Sequence, residues 1–204
     1  MTAQVGDTLI PSAARKSALR RQLRQVRAAI PQASRKAAAR SAASWLLRAL
    51  PPRCRIAIYL SVRSELSTLP LRAALARAGH RVAVPLTMRD WRMRFLPLEP
   101  RTVLRKRGAM QLPEPVARRP LLSARCFDVI LVPLLGFDAG GGRLGNGGGY
   151  YDRALAAPRI GRRPRRIGYA YAAQEVPALP VEAFDMPLDA VVTERGLRRF
   201  PKNS

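Results

Sequence analysis

Apolar positions 14, 18, 19, 23, 26 and 29 recur at helical spacing over residues 12–29, SAARKSALRRQLRQVRAA, and leave a basic opposite face. Pro31 breaks this helix, and an alanine-rich run with Trp45, Leu46 and Leu47 predicts a second over 33–49, stopped by Pro51 and Pro52. The period then changes. RIAIYLS (55–61), HRVAVPL (80–86) and MRFLPLE (93–99) read as strands, with a helix between the first two running from a Ser67 cap through Ala78 and ending at Gly79. Residues 100–125, rich in Pro and Arg, read as a long surface connection. FDVILVPL (127–134) is almost uninterruptedly apolar, as a central strand covered on both faces would be. A glycine-rich loop (136–149), a short helix from Tyr150 to Ala156, and strands at 166–172 and 188–194 complete the pattern. Strands alternating with helices predict an α/β fold, a three-layer α/β/α sandwich with a mostly parallel sheet. The 204 residues fit a single domain, with residues 1–13 as a flexible N-terminal extension.

Charge changes the picture in one respect. The chain carries 37 basic and 13 acidic residues, a net +24, and lysine stands only at 16, 36, 106 and 202. Such an arginine excess raises nucleic acid as a partner. The arginines are spread along the whole chain, however, and no interleaved aromatic readout motif accompanies them, so the expectation is no specific nucleic acid. Cys54 and Cys126 are too few for a metal cluster and form no C-x-x-C pair, which predicts a reducing, cytoplasmic setting. No leader-like start and no membrane-length apolar run is present, so no membrane association is expected.

The segment that carries chemistry is VPLLGFDAGGGRLGNGGGYYDRAL, Val132 to Leu155: a buried strand, a glycine loop and a helix start. Glycines admit close approach of a ligand, and successive N–H groups at a helix start suit an anion. Gly140, Gly142 and Gly145 match G-x-G-x-x-G by spacing alone. The helix begins only after Gly149, and no acidic residue follows some 20 positions on. No G-K-[ST] follows either, so this is not a P-loop. Asp138 reads as a turn cap, and His80, remote from any carboxylate, as structural.

The string RLGNGGGYYD, Arg143 to Asp152, resembles the RLGxGxGYYD signature of the 5-formyltetrahydrofolate cyclo-ligases. Further family features occur in order. They are Lys16 with Arg20, YLSVRSE with Leu60 and Glu65, Val84-Pro85, Met93 to Phe95, PEP at 113–115, the DVILVPLLGFD strand, Gln174, Asp185 and the closing DAVVTE. The resemblance spans roughly residues 14–194. It departs from the family pattern at Met110, Asn146, Gly148 and Phe184, the last standing where a histidine usually precedes the metal-binding Asp185.

The resemblance implies that 5-formyltetrahydrofolate and MgATP become 5,10-methenyltetrahydrofolate, ADP and phosphate. It implies that ATP meets Lys16, Arg20, Arg143, Leu144, Gly145, Asn146, Gly147, Gly148, Gly149, Tyr150 and Tyr151. The reduced formyl folate would meet Leu60, Glu65, Gly148 and Tyr150, with Arg143 and Tyr150 catalytic and Mg²⁺ on Asp152 and Asp185. Which tyrosine contacts the reacting oxygen stays open. Lys16 and Arg20, four residues apart, share one helix face, a carboxylate at Glu65 suits the N–H donors of a pterin edge, and a monomer is expected.

Overall fold

The computed structural model describes residues 12–88, 92–99, 102, 104–107, 112–115, 120–156, 164–182 and 184–201. Helix α1 (Ser12–Ala29) begins two residues inside the expected N-terminal extension; residues 1–11 lie outside the described residues. Helix α2 (Gln32–Ala49) follows directly after Pro31, whose extended backbone (ψ 147°) starts the new helix. Strand β1 (Arg55–Ala57) is shorter than its apolar run. Its last regular bond passes from Ile58 N–H to the Ala83 carbonyl at 2.9 Å, after which the chain turns out through Ser61–Glu65. Helix α3 (Leu69–Arg77) begins one residue later than a Ser67 cap would give, because the Thr68 hydroxyl, at the cap position, donates instead to the Tyr59 carbonyl at 2.8 Å. Ser67 Oγ still accepts the Leu69 N–H at 3.3 Å. Gly79, at φ +73°, provides the expected stop.

Strands β2 (Arg81–Thr87) and β3 (Met93–Pro97) form an antiparallel pair. The stretch expected as a bare surface connection contains its own antiparallel ladder, β4 (Leu104–Arg107) with β5 (Leu112–Pro115); Met110 lies outside the described residues. Strand β6 (Val129–Val132) is wholly buried, and the glycine loop is itself folded by a two-residue ladder, β7 (Gly136–Phe137) with β8 (Arg143–Leu144). Helix α4 (Tyr150–Leu155), strand β9 (Arg165–Tyr169) and strand β10 (Ala190–Thr193) follow. A tight turn at Glu194-Arg195 then leads into β11 (Gly196–Arg199), an antiparallel edge strand that the hydrophobic pattern does not announce.

The main sheet runs β11-β10-β9-β6-β1-β2-β3, parallel in its centre and antiparallel at both edges. Alternate side chains feed two cores. Val129 and Leu131 face α2 and α3, where Ala38, Ala39, Ala42 and Ala43 bring α2 close to the sheet; Ile130 and Val132 face Phe95, Phe127 and Leu155. This is the mostly parallel, helix-covered sheet that the alternation of elements predicts.

Numbered by order of occurrence, the parallel strands β2, β1, β6, β9 and β10 read 2-1-3-4-5. In such a sheet the order reverses between the first and third strands, and ligands bind beyond their carboxyl ends. That crevice lies between the turn carrying Glu65, after β1, and the glycine loop, after β6. Helix α1 belongs to neither layer. Its Leu23 packs on Leu135, Leu144 and Leu179, laying the helix across the loop that follows β6. Among the described residues no helix is long and apolar enough to cross a membrane.

Candidate active site

The loop that leaves β6 is held from behind. Gln174, 1 % exposed, donates through Nε2 to the carbonyls of Leu134 (2.8 Å) and Leu135 (3.0 Å) and accepts the Tyr171 N–H at 2.9 Å. Asp138 accepts the N–H groups of Gly140 (3.0 Å), Gly142 (2.8 Å) and Leu179 (3.1 Å), the turn-capping role its sequence position suggests. At Gly136 a Cβ would stand 2.6 Å from Leu23 Cδ1, so glycine there lets α1 seat on the loop.

Beyond Leu144 the loop is gripped through its carbonyls. Arg20 Nε donates to the Gly145 carbonyl at 3.0 Å, and the Arg153 guanidinium donates to that of Gly148 at 2.6 Å. Gly147 (φ +105°) and Gly149 (φ +63°) adopt left-handed backbone that other residues rarely take. The N–H groups of residues 145–149 donate to no other described residue. A row of amide donors on a loop anchored by two cations is what an anion such as a phosphate requires.

Four of the five charged residues expected around ATP and metal are joined in pairs. Lys16, almost fully buried, donates to Asp185 Oδ2 at 2.6 Å and to Glu182 Oε2 at 2.7 Å. Burial pulls the Lys16 pKa down, but its hydrogen bonds to Asp185 and Glu182 more than reverse this and hold it above the ordinary lysine value. The Glu182 pKa lies below the usual carboxylate range, chiefly through its hydrogen bond from Lys16. Arg143, its side chain 4 % exposed, donates to Asp152 Oδ1 at 2.5 Å and to the Met186 carbonyl at 3.2 Å. Asp152 Oδ1 also accepts the Met186 N–H at 3.1 Å, which ties the end of the glycine loop to the residue after Asp185. Each aspartate thus commits one oxygen, Oδ1 of Asp152 and Oδ2 of Asp185, to protein donors. The second oxygens are the hard donors that Mg²⁺ accepts, and this ion needs only one or two carboxylates beside phosphate and water. The residues present therefore fit the metal. No group of three or more potential metal ligands occurs among the described residues.

On the far side of the crevice Glu65 Oε2 accepts the Val62 N–H at 3.0 Å. Burial pushes the Glu65 pKa up, while the Val62 N–H and the nearby Arg27 charge oppose that rise. Arg27 is 7 % exposed and donates to Ser64 Oγ at 3.1 Å and to the Leu134 carbonyl at 3.5 Å. The two tyrosines part company. Tyr150 lies under the Arg153 guanidinium, 5.3 Å from its ring centre. Tyr151 turns its hydroxyl inward; burial raises its pKa well above the usual value, the Glu65 charge adds to this, and Arg143 opposes it. Tyr151 thus lies within electrostatic reach of both halves of the site. Leu60 is half-buried against the α2–α3 core.

The structure therefore brings Lys16, Arg20, Arg143, residues 145–149, Asp152 and Asp185 together. Glu65 stands across the crevice, and the Tyr151 hydroxyl feels the charges of both Glu65 and Arg143. Arg27 and Glu182 were not anticipated. A signal for Arg27 exists, because Lys16, Arg20, Leu23 and Arg27 form one stripe at spacings of four, three and four. Glu182 has no comparable signal. His80 is remote, with Nδ1 3.2 Å from Cys54 Sγ.

Residues 12–194 match the pattern of the 5-formyltetrahydrofolate cyclo-ligase family. The 5-formyltetrahydrofolate cyclo-ligase of Escherichia coli (strain K12) is 40% identical over 141 residues, 68% of this chain and 76% of that one. Two solved structures are similar over nearly their whole length. The 5,10-methenyltetrahydrofolate synthetase of Aquifex aeolicus has a TM-score of 0.76 at 29% identity and covers 93% of this chain and 94% of its own. That of Mycoplasma pneumoniae has a TM-score of 0.70 at 26% identity, covering 88% and 98%.

Proposed function

The chain belongs to the 5-formyltetrahydrofolate cyclo-ligase family, and from that membership we propose that it uses ATP and Mg²⁺ to close 5-formyltetrahydrofolate to 5,10-methenyltetrahydrofolate, releasing ADP and phosphate. One observation carries this reading to the residues. Lys16, Arg143, Asp152 and Asp185, distant in sequence, border one glycine loop whose 145–149 amides find no acceptor among the described residues.

The chemistry explains the need for ATP. A formamide is a poor electrophile because nitrogen donates into the carbonyl, and hydroxide would be a poor leaving group from the cyclised adduct. Transfer of the γ-phosphoryl group to the formyl oxygen forms an O–P bond, breaks the bond to ADP and creates an iminium-like carbon. N10 attacks that carbon. The adduct then loses the N10 proton and expels phosphate, which carries the former formyl oxygen away. Holding N10 against the formyl carbon is itself worth about 7–11 kcal/mol in well-oriented intramolecular reactions.

The protein supplies positions and charge. Lys16 and Arg20 on α1, with the 145–149 amides, receive the triphosphate. Arg143 steadies the charge on the transferred group. Asp152 and Asp185 would hold Mg²⁺, which would supply neutralisation of phosphate charge. Glu65 accepts from the pterin edge while Leu60 offers apolar surface. Tyr151, whose hydroxyl feels the charges of Glu65 and Arg143, is the tyrosine assigned beside the reacting formyl group, whereas Tyr150 under Arg153 borders the nucleotide. The whole chain acts as one catalytic unit, with a cytoplasmic setting and a monomeric state.

The test is direct. Purified protein with 5-formyltetrahydrofolate should gain the near-ultraviolet absorbance of the methenyl product only when MgATP is present. No ATP-dependent rise would overturn the proposal.

A further inference from the structure

The segment that follows the buried Leu179 has an unusual surface. Val181 is 62 % exposed and Phe184 is 68 % exposed, two of the three most exposed large apolar side chains among the described residues. Between and beside them stand Glu182 and Asp185, whose carboxylates hold Lys16, the cation that also lies over the Phe184 ring. Nor does this turn hang free. The Asp185 N–H donates to the Glu182 carbonyl at 2.9 Å, and the Glu182 N–H to Asp185 Oδ2 at 2.9 Å. The Met186 N–H donates to Asp152 Oδ1 at 3.1 Å and the Leu188 N–H to the Gly141 carbonyl at 2.9 Å. A tethered turn that presents a phenylalanine to water keeps apolar surface out of the core at a cost, because that surface would gain free energy if covered. The Phe184 ring centre lies 5.6 Å from Lys16 Nζ, the cation assigned to the triphosphate. In a nucleotide the base stands one ribose away from the phosphates.

We propose that Phe184, with Val181 beside it, is the platform on which the base of the nucleotide stacks, so that this turn reads both ends of ATP, the base through Phe184 and the phosphates through the lysine its carboxylates orient. The proposal rests on the nucleotide site of the preceding section. It differs from a role in which Phe184 merely covers Lys16, because that role concerns the phosphates alone. Every base has a π-face, so the ring favours the larger purines by area and does not tell adenine from guanine.

Binding is measured by calorimetry, without turnover, for ADP and for inorganic tripolyphosphate, on the unmodified protein, Phe184→Ala and Phe184→Trp. Phe184→Ala should weaken ADP roughly five-fold or more, the lower end of what a base stacked on an aromatic ring contributes. It should leave tripolyphosphate within about two-fold, and Phe184→Trp should bind ADP as tightly as the unmodified protein. The KM ratio of CTP to ATP should shrink in Phe184→Ala. Equal weakening of ADP and tripolyphosphate would overturn the proposal by showing that Phe184 acts on Lys16, and unchanged ADP affinity would overturn it outright. Failure of the unmodified protein to bind either ligand would instead remove the nucleotide site on which the proposal stands.

Discussion

Replacing Arg27 by methionine keeps an unbranched apolar stem and removes the charged guanidinium. Arg27 is buried, and its guanidinium is one of two influences that oppose the upward push of burial on the Glu65 pKa. The Leu134 carbonyl would keep its shorter bond from Gln174, at 2.8 Å against 3.5 Å from Arg27, so that acceptor is not left unsatisfied. What is lost is a charge facing Glu65 and a hydrogen bond to Ser64. A charge-assisted bond of this kind is worth about 1.5–3 kcal/mol. At roughly 2–4 °C per kcal/mol for a domain of this size, Tm should fall by about 3–12 °C.

The pH dependence identifies the cause. A carboxyl whose folded pKa is raised contributes stability fully present below its unfolded pKa and lost as pH rises through the folded value. Arg27→Met raises the folded value further, so the fall in Tm should be larger near about pH 8 than near about pH 5. The pH below which the KM for 5-formyltetrahydrofolate worsens should also move upward, because protonated Glu65 no longer accepts from the pterin. Thermal unfolding and KM are read across the same buffers. A Tm loss that is uniform in pH or greater in acid, with an unmoved KM profile, would refute the coupling between Arg27 and Glu65.

Gly136→Ala places a methyl 2.6 Å from Leu23 Cδ1 and should displace α1, raising the KM for ATP; Leu23→Ala in the same chain should restore it, and a failed rescue would separate α1 from the nucleotide site. Asp152→Asn should lower kcat with partial recovery at high Mg²⁺, whereas Glu65→Gln should raise the KM for folate with kcat little changed; steady-state kinetics on both substrates would expose reversed roles. Because the net charge of +24 is dispersed, any binding to nucleic acid should weaken steeply with salt and show little sequence preference, and a sequence-selective complex at physiological salt would contradict this.

Much of this architecture is written in local pattern. The period of α1, the apolar run of β6 and the glycines before Tyr150 each fix an element from neighbours in sequence. Strand direction is not local, so nothing in residues 93–97 or 196–199 says that β3 and β11 run antiparallel to their partners. Residues 55–61 look like one long strand, but the chain leaves the sheet after Ala57 because Tyr59, Thr68 and Glu65 use their polar groups to build the turn at the crevice. Arg27 reads as part of a solvated basic face, and only the seating of α1 across the loop buries it. Only the family resemblance points to Lys16, Arg20 and Asp152 as candidate site residues. That Lys16 is shared between Asp185 and Glu182 depends on a contact 166 residues away and has no local signal.

In the proposed reaction phosphate departs with the oxygen of the formyl group. A single turnover on 5-formyltetrahydrofolate carrying ¹⁸O in that group, with MgATP and protein in excess, decides it by mass spectrometry of the released phosphate. One ¹⁸O per phosphate and one phosphate per methenyl product are expected. Phosphate without the label, or product formed without phosphate release, would contradict it.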